Sequence, residues 1–164
     1  KTEEASELFD KEQVNVHNTL QEVINDLHSP IVAHGINVKN EINPQTVIEG
    51  NKTLVYAIFR NLIENSINYA GDNISIGVNN YMEDKEFYYF SYYDTGQGIE
   101  ENHLNRIFER FYRVCEGRSR QNGGSGLGLS IVKNAVLFHK GDISAKNRKD
   151  GGLEFLFSLK KTLF

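Results

Sequence analysis

Two glycine-bearing runs, DTGQGI at residues 94–99 and GSGLGL at residues 124–129, follow an asparagine-rich segment, NLIENSINYA, at residues 61–70. Glycines gathered where a strand ends or a helix begins mark backbone that turns sharply or comes close to a ligand. The order of the three stretches constrains the fold. A helix has to present the asparagines, a strand has to end at Asp94, and a second helix has to start at the later glycine run.

With 164 residues the chain is long enough for one domain with a full core and too short for two comfortable ones. Hydrophobic content of 39% and charged content of 24% are those of a globular protein. The net charge of −4 offers no general basic surface to nucleic acid, so no nucleic-acid partner is expected. The single cysteine, Cys115, excludes an internal disulfide and a multi-cysteine zinc site, and the five histidines lack ligand spacing. No apolar run is long enough to span a bilayer, and the polar start is not a signal peptide. A cytoplasmic location without membrane contact by this stretch is expected.

Apolar spacing predicts a helix over residues 10–27, which Pro30 discourages from continuing. Residues 35–42 alternate as a strand, and Asn43-Pro44 marks a turn. Asn51 or Thr53 can cap the next helix, which carries Leu54, Ile58, Leu62 and Ile63 and stops at Gly71. Residues 74–80 and 86–93 read as two strands, the second delivering Asp94 to its end. A short helix around residues 101–109 and an aperiodic polar stretch at 115–124 follow. Residues 126–139 return to helical spacing, and residues 142–147 and 153–159 form a hairpin through Asp150-Gly151-Gly152. The mixture predicts an α+β domain, a two-layer α/β sandwich with helices on one face of a mixed sheet.

Asn61, Asn65 and Asn68 share one helical face. Asparagine is a poor helix former, so a merely solvated face would more naturally carry Glu, Lys or Arg. An amide oxygen is a hard ligand suited to Mg²⁺, whose shell is completed by water and phosphate oxygens. Asp94 alone reads as a turn residue leaving a strand. In a pocket, its carboxylate can accept a hydrogen bond from the exocyclic amine of adenine and would repel the carbonyl of guanine. Gly96 and Gly98 leave room for a base beside the backbone. GSGLGL exposes N–H groups at a helix start, where partial positive charge suits phosphate. It is neither a P-loop, because no glycine precedes Lys-Ser or Lys-Thr, nor a dinucleotide fingerprint, because Leu129 stands where the last glycine belongs.

These boxes, together with RIFERFYRV at residues 106–114, resemble the catalytic ATP-binding domain of sensor histidine kinases, in the wider group of gyrase- and heat-shock-type ATPases. The resemblance spans about residues 51–159 and implies a Bergerat-type fold that binds ATP and Mg²⁺. It implies Asn65 as the metal ligand, with Asn61 nearby, and Asp94 as the reader of adenine. Tyr69, Gly96, Gly98, Ile99, Phe111 and Gly124 to Leu129 (Gly124, Ser125, Gly126, Leu127, Gly128, Leu129) are implied as further nucleotide contacts. Arg113 is implied as a triphosphate contact that acts with Asn61 in catalysis, and the polar stretch as an ATP lid.

Departures from the pattern carry information too. Related gyrase- and chaperone-type ATPases place a water-activating Glu four residues before the metal-binding Asn. Here that place holds Asn61, which cannot act as a general base. Transfer to another acceptor is therefore favoured over hydrolysis. Asn68 stands where a basic residue is frequent. The acceptor histidine of the family lies in a separate helical hairpin, and His17 and His28 lack its context.

The resemblance further implies that residues 1–10 are the end of an upstream dimerisation helix or a linker and residues 11–164 the catalytic domain. The longer parent protein is expected in the bacterial inner membrane with this domain on the cytoplasmic side. Expected partners are the upstream dimerisation and phosphoacceptor domain and a response-regulator receiver domain. A serine-kinase or anti-sigma-type relative, a chaperone-type ATPase and a nucleotide-dependent interaction module are the alternatives.

Overall fold

A computed structural model describes residues 12–113 and 126–163. In chain order the elements are β1 (Glu12–Asn15), α1 (Val16–Asp26), α2 (His28–Ala33), β2 (Asn37–Glu41), β3 (Val47–Gly50), α3 (Lys52–Tyr69), β4 (Ser75–Glu83), β5 (Phe87–Asp94), α4 (Gly128–Phe138), β6 (Ile143–Asn147) and β7 (Leu153–Lys160). Five strands form one sheet in the order β2-β4-β5-β7-β6, and β1 pairs with β3 in a small separate sheet. The β2–β4 pair is parallel and the other pairs of the large sheet are antiparallel, so the sheet is mixed.

Alternation along the strands puts Ile76, Val78, Phe90, Tyr92, Phe155, Phe157 and Leu159 on one buried face. The buried stripes of α1 (Val16, Leu20, Val23), α3 (Val55, Ile58, Phe59, Leu62, Ile63) and α4 (Val132, Ala135, Val136) belong to the same core. Phe157 sits at its centre, stacked on Phe90 at 5.2 Å and edge-on to Phe59 at 6.1 Å. Aromatic pairs of this geometry add about 0.5–1.5 kcal/mol beyond the area they bury.

The N-terminal helix is shorter than its apolar spacing predicts. Asn15 has extended backbone and its Oδ1 accepts the Asn18 N–H at 2.9 Å, an N-cap that starts the helix at Val16. The residues before it pair with β3, Val14 opposite Ile48. Pro30 does not end helical structure either. It falls in the first turn of α2, where its missing N–H costs nothing. The helix expected over residues 101–109 is a 3₁₀ turn, Glu101–His103, followed by turns whose bonds run i to i−3, such as Arg106 N–H to His103 O and Glu109 N–H to Arg106 O, both 2.9 Å. Of the two capping candidates for α3, Asn51 does the capping, with its Oδ1 accepting from the Leu54 N–H at 2.9 Å.

Behind that cap lies His139, fully buried. Its Nδ1–H donates to the Ala135 carbonyl at 2.9 Å, and Nε2 accepts the Asn51 N–H at 3.1 Å, so the ring ties the end of α4 to the start of α3. Burial holds the imidazole below its ordinary pKa, with the Ala135 bond opposing in part. Below the usual imidazole value of about 6.5 the unfolded chain therefore binds a proton that the folded chain resists. Stability is fully present above that value and falls with pH until the folded ring also titrates. Urea midpoints measured from about pH 7.5 down to 5 are expected to decline more steeply for the wild type than for His139→Gln. Parallel slopes would show that other groups govern the transition.

Candidate functional site

The C-terminal half of α3, the end of β5 with the loop after it, and the start of α4 enclose a cleft of about 910 Å³. Asn61, Asn65 and Asn68 line it together from α3, as their spacing predicts. Their amides differ in what they touch. Asn61 Nδ2 donates to the Ala57 carbonyl of its own helix at 2.8 Å. The Asn65 amide makes no hydrogen bond with another described residue, which leaves its oxygen open to a ligand.

Asp94 forms the polar end of the cleft and is 3% exposed. Its Oδ1 accepts the N–H groups of Gly96 at 3.0 Å and Leu153 at 3.3 Å, and its Oδ2 accepts the Ser66 hydroxyl at 3.0 Å. Ser66 Oγ also lies 2.7 Å from the Tyr92 hydroxyl, which is 3.0 Å from the Leu62 carbonyl. Three contacts share two protons. A carboxylate only accepts, so the Ser66 proton goes to Asp94 and the Tyr92 proton is left to choose between Ser66 Oγ and Leu62 O. Burial raises the Tyr92 phenol well above its ordinary pKa, so it remains a donor. The arrangement gives Oδ2 a single protein donor and leaves it acceptor capacity.

The loop after Asp94 is held at several points. Gly96 packs against Ala70, whose carbonyl a Cβ would strike. Gln97 Nε2 donates to the Tyr69 carbonyl at 2.7 Å. Ile99 is clasped by Asn147, which accepts its N–H at 3.0 Å and donates to its carbonyl at 2.6 Å. Gly98, at φ +68°, would bring a Cβ to 2.6 Å from Asn147 Oδ1. Ile67, Ile99, Ile107, Leu129 and Leu153 add apolar wall, fit for the faces of a base.

At the start of α4 the N-cap Leu127 makes no side-chain cap bond, and the Ile131 N–H donates to the Leu127 carbonyl at 3.0 Å, so the N–H groups before Ile131 lie ahead of the intrahelical ladder. Gly128 crosses α3 so closely that a Cβ would sit 3.2 Å from Asn61 Oδ1. Gly126 takes φ +79° with Phe111 against it. Tyr69, Gly98, Ile99, Arg113, Gly126, Leu127, Gly128 and Leu129, implied as nucleotide contacts by the resemblance, all line the cleft. Gly96 is not among the residues that line it. Gly124 and Ser125 lie outside the described residues, as do the whole lid expected at 115–124 and residues 1–10.

Phe111 departs from expectation. It is 64% exposed at φ +66°, with the Arg110 guanidinium 5.3 Å from its ring, and does not line the cleft. The phenylalanine of that segment which packs inward is Phe108, edge-on to Phe155 at 6.0 Å. Tyr112 takes the cleft-lining position, its hydroxyl bonded to His103 Nδ1 and its ring beneath Arg106 at 4.6 Å. Sequence reasoning missed Ser66, Tyr92 and Asn147, which meet the site across long separations. Nothing local marks them, although a buried tyrosine usually finds a partner for its hydroxyl.

Residues 50–163 match the family of histidine kinase-, DNA gyrase B- and HSP90-like ATPases, and the chain belongs to that family. Similar proteins within it include sensor kinases. The chain is 30% identical over 155 residues to the sensor histidine kinase WalK of Bacillus subtilis, covering 92% of this chain and 25% of WalK. It is 30% identical over 146 residues to the phosphate regulon sensor protein PhoR of Pseudomonas aeruginosa, covering 89% and 33%. It thus spans a quarter to a third of these relatives. Among solved structures, the catalytic domain of histidine kinase ThkA superposes with a TM-score of 0.81 at 26% identity, covering 94% of this chain and 97% of that one. ThkA in complex with the response regulator protein TrrA gives 0.75 at 25% identity, covering 93% and 42%. The fold and the ATPase-family assignment agree with the sequence expectation. No helix among the described residues is long and apolar enough to cross a membrane.

Proposed function

We propose that this chain is the catalytic ATP-binding domain of a sensor histidine kinase, which places the terminal phosphoryl group of ATP before a histidine on a separate helical-hairpin domain. The observation that carries this reading is one cleft with three kinds of recognition. A buried carboxylate with an open acceptor lies at one end, an unpartnered amide on the wall, and a glycine-bearing helix start at the other end.

Asp94 selects adenine through its exocyclic amine, and the apolar wall holds the ring faces. The α4 start and Arg113 receive the phosphates, by N–H donation and by charge. Asn65 fits Mg²⁺, because its amide oxygen is free and faces the cleft, with Asn61 beside it. When bound, the ion would neutralise charge on the phosphate oxygens. Asn61 contributes no base, being an amide bonded to its own helix, so the nucleophile has to come from the partner. Catalysis by this chain is positioning and charge compensation. The likeness to ThkA, solved with a response regulator, supports a receiver domain as the partner of the parent protein.

With γ-labelled ATP the chain alone is expected to acquire no stable label, whereas the cognate hairpin domain, once added, becomes labelled on histidine. The label should be acid-labile and base-stable. Stoichiometric label on His17 or His28 of this chain would overturn the separate-acceptor reading, and acid-stable label on the partner would indicate a serine kinase.

A further inference from the structure

The side of the sheet away from the helices carries a cluster that the cleft itself does not explain. Tyr93, one residue before Asp94, lies flat over Gly77, where any Cβ would come within 2.5 Å of its ring. The guanidinium of Arg148 is 4.3 Å from the same ring. Arg148 Nη1 donates to the Gly151 carbonyl at 3.0 Å and reaches the Asp94 carbonyl at 3.4 Å. The backbone of Arg148 closes the same turn twice, donating to Gly152 O at 2.8 Å and accepting from Gly151 N–H at 3.2 Å.

The turn needs this support because of its composition. Gly151 and Gly152 both have positive φ, +102° and +98°, and two successive glycines give a turn little stiffness of its own. The turn also touches the site directly. A Cβ on Gly152 would strike the Asp94 carbonyl, and the next residue, Leu153, supplies one of the two N–H groups on Asp94 Oδ1. Movement of the turn is therefore movement of a donor to the carboxylate. Of the two side-chain bonds, the 3.0 Å one to Gly151 and the ring stacking carry more than the 3.4 Å contact, which is at the outer limit of hydrogen bonding.

We propose that Arg148, stacked on Tyr93, is a positioning residue for base recognition: it straps the β6–β7 turn to the end of β5 and so fixes the carboxylate of Asp94 from the face opposite the cleft. The proposal rests on the reading of Asp94 as the adenine acceptor. Arg148 touches no nucleotide, and its effect is exerted through the Leu153 N–H and the Asp94 backbone. Lysine would not replace it, because one ammonium cannot both lie over the ring as a plane and hold the Gly151 carbonyl in a fixed direction.

The test compares binding of ATP and inosine triphosphate, which share ribose and phosphates but differ at the exocyclic position of the base. In Arg148→Ala the preference for ATP is expected to fall by about 3- to 10-fold, with affinity for inosine triphosphate nearly unchanged. Tyr93→Phe should keep the preference, Tyr93→Ala should lose it to the same extent, and the Arg148→Ala/Tyr93→Ala pair should lose no more than either alone. General destabilisation lowers both affinities together and leaves their ratio alone, so the ratio reports positioning. Should Arg148→Ala not fold, Arg148→Lys, which keeps the charge and loses the planar fork, takes the same measurement. A wild type that binds both nucleotides equally, or a preference untouched by Asp94→Asn, would remove the adenine reading itself. A preference that depends on Asp94 but survives Arg148→Ala or Arg148→Lys would overturn the strap alone.

Discussion

Asp94→Asn is expected to weaken ATP binding by about one to two decades while leaving the fold in place. The geometry says how. Oδ1 faces two backbone donors, Gly96 N–H and Leu153 N–H, so the amide that replaces the carboxylate has to put its oxygen there. Its NH₂ group then occupies the Oδ2 position. Ser66 can adapt by accepting from that group and turning its own proton to the Tyr92 oxygen, 2.7 Å away, while Tyr92 donates to Leu62 O. All internal polar groups remain satisfied, hence the intact fold. What is lost is the acceptor, since the adenine amine now meets another donor. Calorimetric titration with ATP and GTP, beside thermal unfolding, checks both halves. Unchanged affinity in the variant, or equal affinity of the wild type for the two nucleotides, would reduce Asp94 to a turn residue.

Asn65→Ala should remove the Mg²⁺-dependent part of ATP affinity and lower phosphotransfer to the partner histidine by about two decades or more, the scale of several kcal/mol of charge stabilisation. Metal-free nucleotide should bind almost as before, because base recognition at Asp94 and the N–H groups of α4 are untouched. The fold has little at stake, as the Asn65 amide makes no bond with another described residue and alanine is the better helix former. Since the chain has no tryptophan, a fluorescent nucleotide analogue with and without chelator reports the difference. Asn68→Ala serves as the control on the same helix face. Equal Mg²⁺ dependence in wild type and Asn65→Ala would return the asparagines to plain polar surface.

The parts of this fold that were legible in the sequence are those that local chemistry specifies. Asn51 could be read as a cap because a cap needs only its own turn. The asparagine face of α3 could be read because helical spacing alone aligns it, and Asp94 because glycines follow it at once. Residues 12–15 misled because Val14 and Val16 satisfy a helical stripe as well as a strand, and pairing with β3, itself a four-residue strand, decided between them. Phe111, a nucleotide contact on the resemblance alone, is the exposed one of the segment's two phenylalanines, and it is Phe108 that finds Phe155. Ser66, Tyr92, Asn147 and Arg148 acquire meaning from partners distant in sequence, so no window along the chain could have displayed them.

The place of β7 has a temporal consequence. Asp94 emerges from synthesis more than fifty residues before Leu153, whose N–H completes its carboxylate and whose strand runs beside β5 along the length from Phe87 to Tyr93. Until the β6–β7 hairpin joins the sheet, β5 is an edge strand with Asp94 half-supported, however well the asparagine helix has formed. On the reading of Asp94 as the adenine acceptor, base recognition requires the β6–β7 hairpin to be in place, because one of the donors that hold the carboxylate comes from it.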